Sequence, residues 1–212
     1  MFRQSQSPGI GGGEKPVSNA LGIDVSAPGT DWKAWHEEGV RFACIKATQS
    51  VDYVNPAFKH DWAAAGAAGM RRIAYHYGDP STDPAGQAAA LVETVKGAGL
   101  ESNTAFALDL ETYGTHQGMT PVEVAFWGYV FCAEVRRLAP KHWVFVYCSP
   151  SFADTGACYL LGHWPLWVAH WGVAKPEIPL PWKRWVIWQY ASGGAVDHDR
   201  FNGDEAELDK WF

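Results

Sequence analysis

No apolar stretch in the 212 residues approaches the roughly 18 consecutive residues of a membrane-spanning helix, and residues 1–20 hold no apolar block of signal-peptide type. The sequence therefore predicts a chain made in the cytoplasm without a signal peptide and independent of membranes. Runs of basic residues are missing as well. Lys plus Arg total 17 against 23 Asp plus Glu, a net charge of −6, which leaves no electrostatic footprint for nucleic acid. Cysteine is sparse and unpaired. Cys44, Cys132, Cys148 and Cys158 stand singly with no CxxC spacing, which argues against a zinc ribbon or dithiol centre and reads as small buried hydrophobes. HExxH, the P-loop and the GxSxG elbow are absent, and nothing repeats at the roughly 20–50-residue period of a solenoid. The eight histidines are scattered, so no metal and no cofactor is expected. His76 follows a strand pattern and is a candidate for the mouth of a barrel, whereas a nucleophilic Cys148 is disfavoured because its strand reads as buried.

What is present is material for one well-filled domain. Hydrophobic residues make up 47% of the chain and charged residues 19%, with 12 Trp, 8 Tyr and 10 Phe. Rings with a polar handle suit both an aromatic core and the faces of sugars. Residues 1–20, with Gly11-Gly12-Gly13, carry no periodicity and read as a flexible tail; residues 21–212 read as a single barrel domain. From Leu21 onward, short apolar runs alternate with helical patterns, the signature of βα units around a parallel sheet. Strands are expected at 21–25, 42–47, 72–76, 105–110, 143–148, 166–169 and 185–190, with a last one near Val196. Helix starts are expected at Asn55-Pro56, Asp83-Pro84 and Thr120-Pro121-Val122-Glu123, and stops at Gly39, Gly69 and Gly99. Helical patterning fades after Cys148, so about five βα units followed by about three plain strands are expected to close one barrel.

Working residues of a parallel barrel sit at the C-terminal ends of its strands. The polar residues ending these runs are carboxylates: Asp24 in Gly22-Ile23-Asp24-Val25-Ser26, Asp109 and Glu111 in Leu108-Asp109-Leu110-Glu111, and Asp197 after Ala195-Val196. Residues two apart on a strand share a face, which sets Asp109 and Glu111 on one side, about 6–7 Å apart, and Leu108 and Leu110 on the other. Crowded carboxylates raise one another's proton affinity, so one acid stays protonated while another is ionised. Acid-assisted cleavage of a glycosidic bond needs that combination.

Seven segments then occur in one order: Gly22-Ile23-Asp24-Val25-Ser26, Phe42-Ala43-Cys44-Ile45-Lys46-Ala47-Thr48, Ala74-Tyr75-His76-Tyr77, Leu108-Asp109-Leu110-Glu111, Leu166-Trp167-Val168-Ala169, Trp188-Gln189-Tyr190, and Val196-Asp197 through Asn202-Gly203. Together they resemble glycoside hydrolase family 25, the Chalaropsis-type lysozymes, over about residues 20–204. The resemblance implies a flattened (β/α)5(β)3 TIM-like barrel and an N-acetylmuramidase that cuts the β-1,4 bond between N-acetylmuramic acid and N-acetylglucosamine in bacterial peptidoglycan. A wall hydrolase with no signal-peptide block resembles a phage endolysin, and the chain is expected to act on the cell wall as a monomer. Carried over by position, Glu111 would be the general acid, Asp109 would orient the reacting centre, and Asp24 and Asp197 would tune the charge of the pair. Tyr75, Tyr147, Trp167, Trp188, Tyr190 and Lys46 would bind substrate. The sequence departs from the family at Gln49, where Glu is usual, at Tyr77, where Phe is usual, and at Asp199, where Asn is frequent and which competes with Asp197 for the carry-over. A glycan-binding protein on the same scaffold and a wall amidase are the competing readings.

Overall fold

A computed structural model describes residues 18–111, 118–194 and 196–212. The expected tail, residues 1–17 of it, lies outside the described residues, and its boundary falls earlier than residue 20: Ala20 is buried, and its N–H donates to the Gly203 carbonyl.

Among the described residues eight strands close a barrel and a ninth extends it. They are β1 (Leu21–Val25), β2 (Val40–Gln49), β3 (Tyr53–Val54), β4 (Arg71–Tyr77), β5 (Thr104–Asp109), β6 (Val144–Cys148), β7 (Leu166–Ala169), β8 (Ile187–Ala191) and β9 (Asp197–Phe201). The sheet order is β1-β9-β8-β7-β6-β5-β4-β2-β3, and β1 also pairs with β2, which closes the ring. The extra strand β3 is a short exposed hairpin on the end of β2 that the sequence pattern does not announce.

All barrel neighbours are parallel except at β9, which runs antiparallel to both β8 and β1. This corrects the sequence reading. Asp197 does not end a strand but begins one, because the β8–β9 connection, with Gly193 at φ 116° and Gly194 at φ 106°, reverses the chain. Since β9 runs backwards, its start lies at the same end of the barrel as the C-termini of the other strands.

Strand parity sorts the core into two layers. Phe42, Ile73, Phe145, Trp167, Ile187 and Phe201 fill the barrel interior. Ile23, Ile45, Phe106, Leu108, Val146, Val168 and Trp188 face outward against the helices. Gly22 points inward, and a Cβ there would stand 2.2 Å from the Phe42 ring, so the missing side chain is what admits that phenyl group.

The helices are α1 (Trp32–Glu37), α2 (Phe58–Ala67), α3 (Pro84–Ala98), α4 (Pro121–Leu138), the single turn α5 (Pro150–Phe152) and α6 (Glu205–Leu208). Asp83 caps α3 and Gly99 ends it, while Thr120 and Glu123 form the reciprocal capping box of α4. Asn55 does not cap α2, whose N-cap is Ala57. Its side chain accepts from the Ala57 N–H and donates to the Ser26 and Lys46 carbonyls, tying a loop down instead. After α5 and a π-helical turn at Ala153–Ala157, β7, β8 and β9 follow with no helix between them, so five βα units and three strands make a (β/α)5(β)3 barrel. Beyond α6, Trp211 packs on Trp143, Phe145 and Phe201 and plugs the barrel floor. Among the described residues no helix is long and apolar enough to cross a membrane.

Candidate active site

The mouth of the barrel gathers carboxylates because the inward parity positions there are Asp24 on β1, Asp109 at the end of β5, Gln189 on β8, and Asp197 and Asp199 on β9. Glu111, two residues past Asp109, keeps the same facing, while Leu108 and Leu110 join the outer layer. Asp24 and Asp197 are register partners across β1 and β9, so two like charges stand directly opposite. Gln189 relieves them. Its Nε2 donates to Asp24 Oδ2 at 2.7 Å and reaches Asp197 Oδ2 at 3.5 Å, and its Oε1 accepts from Tyr147 Oη at 2.9 Å and Trp171 Nε1 at 2.8 Å. The Gly193 N–H holds the other oxygen of Asp197.

Asp24, Asp109, Glu111, Asp197, Tyr75, Tyr147, Trp167 and Gln189 line one pit of ≈ 90 Å³. Glu111 and Tyr147 also line a groove of ≈ 590 Å³ that continues along Ser149, Asp154, His170, Trp171 and Glu177. Glu111 thus stands where a narrow polar pit opens into a wide cleft, half-buried, whereas Asp109 is buried behind it. Their carboxyl groups are in hydrogen-bonding contact, closer than the separation expected from the strand alone. Asp109 Oδ1 meets no conventional donor among the described residues.

Burial raises Asp109 well above the usual carboxylate range, and the Glu111 charge adds to the effect. Burial raises Glu111 too, opposed by hydrogen bonds from Asp109 and Tyr147. Burial, with the charges of Asp197 and Glu111, lifts Asp24 to about 7 against the stabilising hydrogen bond from Gln189. Lys46 counters this negative field at the Asp109–Glu111 pair. Its Nζ donates to the neutral Gln49 Oε1 at 2.6 Å and lies over the rings of Tyr77 and Tyr53, and its own charge is weakened by burial.

Two expected binding residues are not brought to this group. Trp188 and Tyr190 alternate with Gln189 along β8, so the parity that turns Gln189 inward turns them outward. Trp188 is buried in the outer layer, with its Nε1 donating to the His170 carbonyl, and Arg200 lies over both rings. His76 likewise faces outward, stacked on Phe131 between Thr48 and Gln87, and burial pushes it down to about 4. All four cysteines are buried, and the Cys148 thiol, in contact with Cys158, is pushed up. Among the described residues no group of three His, Cys, Asp or Glu is placed to hold a metal ion.

Two further residues belong to the site without a strong signal in the sequence, Gln189 and Trp171. The first carries no charge to draw attention. The second is 53% exposed and looks like an ordinary loop residue until its indole N–H is seen anchored on Gln189, which leaves the ring at the groove wall.

Glycosyl hydrolases family 25 matches the chain over residues 23–199. The chain is 29% identical over 217 residues to "Lysozyme M1" of Streptomyces globisporus, covering 92% of this chain and 72% of that one. It is 27% identical to the "N,O-diacetylmuramidase" of Chalaropsis sp, covering 89% and 97%. Among solved structures, the bacterial lysozyme from Streptomyces coelicolor superposes with a TM-score of 0.80 at 28% identity, covering 92% and 97%.

Proposed function

The chain belongs to glycosyl hydrolases family 25 and is a lysozyme, a glycoside hydrolase of cell-wall peptidoglycan; from that premise we propose that it cuts the β-1,4 bond between N-acetylmuramic acid and N-acetylglucosamine, with Glu111 as the acid. The observation that carries the assignment is the touching Asp109–Glu111 pair at the junction of pit and groove. Burial and mutual repulsion raise the proton affinity of the pair, and Glu111 is the member that reaches the groove and so delivers the proton to the leaving oxygen. Lys46 then stabilises the carboxylate left behind.

The contact within the pair supports a particular route. Two carboxyls acting as acid and nucleophile are about 5–5.5 Å apart in retaining glycosidases, and about 6.5–9.5 Å apart when a water attacks. A pair in hydrogen-bonding contact fits neither spacing. It suits a mechanism in which the acetamide oxygen of the muramic acid attacks its own anomeric carbon, with Asp109 accepting the acetamide N–H. Asp24 and Asp197, fixed by Gln189, set the charge of the pit behind them. Tyr75 and Trp167 shape the floor of that pit, and Trp171 offers a sugar-stacking face along the groove.

Digestion of purified peptidoglycan followed by borohydride reduction tests the bond. Reduced muramic acid supports the reading, whereas reduced glucosamine or new free amines overturn it.

A further inference from the structure

The inward positions of β9 bring a fifth carboxylate to the mouth behind the four already described. Asp199 has no exposed surface. Its Oδ1 accepts from Trp167 Nε1 at 2.8 Å, while its Oδ2 meets no conventional donor among the described residues. The neighbour it does touch is the carboxyl group of Asp24, itself buried.

The groups facing this contact offer no cation. Among the described residues they are Cys44 from β2, Tyr75 from β4, Asp109 and Glu111 at the end of β5, Tyr147 from β6, Trp167 from β7, Gln189 from β8 and Asp197 from β9 itself, the further carboxylates only adding negative charge. From β1, Gly22 opposite Asp199 has no side chain. Lys46 acts on Asp109 and Glu111, and Arg200 points outward over Trp188 and Tyr190. Two ionised carboxylates in contact with no counter-charge would be strongly disfavoured in such a site. Gln189 already occupies Asp24 Oδ2, and Trp167 can satisfy only one oxygen of Asp199. The arrangement closes if one carboxyl carries a hydrogen and gives it to the other. Asp199 is the deeper of the two, and burial and the neighbouring Asp24 charge raise it well above the usual range.

We propose that Asp199 is a positioning residue that works as the neutral acid, donating its carboxyl hydrogen to Asp24 and so fixing the Asp24–Gln189–Tyr147 line behind Glu111. The line is continuous: Asp24 accepts from Gln189, Gln189 accepts from Tyr147, and Tyr147 reaches Glu111. Loss of the hydrogen would leave two anions in contact and release Asp24 from its place. Asp199 therefore ties the alignment of the site to pH.

Asp199→Asn tests this, because the amide has nearly the same shape and keeps its donor at every pH. A carboxyl with raised proton affinity in the folded state gives its full stability below the unfolded value of 3.8 and loses it as pH rises toward the folded value. Wild type should therefore fall behind Asp199→Asn as pH rises. The melting-temperature gap, near zero at pH 4, should open by about 3–5 °C per pH unit where the slope is steepest. In parallel, infrared difference spectra near pH 6 should show one protonated-carboxyl band of the wild type missing from the variant. The rate ratio of variant to wild type should climb at least threefold between pH 5 and pH 8.

Parallel melting curves across that range, or an unchanged carboxyl band, would overturn the assignment, and so would a rate ratio independent of pH. The rate measurement rests on the muramidase reading. The melting and infrared measurements do not, so failure of the one is distinguishable from failure of the other.

Discussion

Replacing Glu111 by Gln should silence the enzyme and make it more stable at the same time. The amide keeps the shape of the side chain but has no proton acidic enough for the leaving oxygen, and general acid catalysis is worth about 10²–10⁴ in rate, or about 3–5 kcal/mol of barrier. The stability change follows from Asp109, which is buried with Oδ1 lacking a conventional donor and faces Glu111. A Gln at 111 offers an N–H donor to the Asp109 carboxyl and removes a like charge. An unsatisfied buried acceptor costs about 1–3 kcal/mol; since Glu111 is half-exposed, we take about 1–2 kcal/mol as the gain, roughly 2–8 °C in Tm for a chain of this length. The gain depends on pH with a definite sign. Both carboxyls have raised proton affinity when folded, so the wild type loses stability as pH climbs above the ordinary carboxylate range, and the variant's advantage should be larger at pH 7 than at pH 4. Turbidity clearance of purified walls measures the first effect, and scanning calorimetry at the two pH values measures the second. A folded variant that keeps more than about a tenth of wild-type turnover, or one that melts lower at pH 7, would refute the reasoning.

Hydrolysis should be fastest on the acid side of neutral and decline as the Asp109–Glu111 pair loses its proton; a flat rate from pH 5 to pH 9 would remove any carboxylic acid from the role. Walls whose muramic acid has been N-deacetylated should bind but resist cleavage, and cleavage at the ordinary rate would return Asp109 to the part of nucleophile or base. Gln189→Leu strips Asp24 of its donor and Tyr147 and Trp171 of their acceptor, at a cost of about 2–4 kcal/mol, read as a fall of roughly 4–16 °C in Tm. Gly22→Ala forces a methyl group into the Phe42 ring at the barrel floor and should cost about 1–3 kcal/mol, measurable by denaturant titration, while leaving the pH profile of the folded fraction unchanged.

Much of this architecture is written in local patterns. The strands are short apolar runs, α3 and α4 announce themselves through Asp83-Pro84 and Thr120-Pro121-Val122-Glu123, and the parity of Asp109 and Glu111 follows from two-residue periodicity alone. The same parity places Gln189 inward and Trp188 and Tyr190 outward on one strand, although the family resemblance implies that the two aromatics bind substrate. The direction of β9 was not legible, since reversal depends on how the Gly193-Gly194 connection is closed in space and not on the composition of the strand. Asn55 misled for a similar reason. The residue before a proline can cap a helix or lock a loop, and only the carbonyls of Ser26 and Lys46, brought near by the fold, decide which. The Asp199–Asp24 contact is likewise a product of closure, joining residues from the last strand and the first.

That closure also fixes where the chain enters and leaves. Ala20 pairs with Gly203 at the end of the barrel opposite the carboxylates, and the segment after α6 lies against the same floor through Trp211. A fluorophore, a solid support or a second module joined behind Phe212 therefore departs from the floor. The catalytic mouth then faces away from the attachment, free to meet an insoluble polymer sheet. Tethering at Phe212 is compatible with attack on an intact wall, whereas tethering through the surface of α5 or the Trp171 loop would bring the support to the rim of the groove.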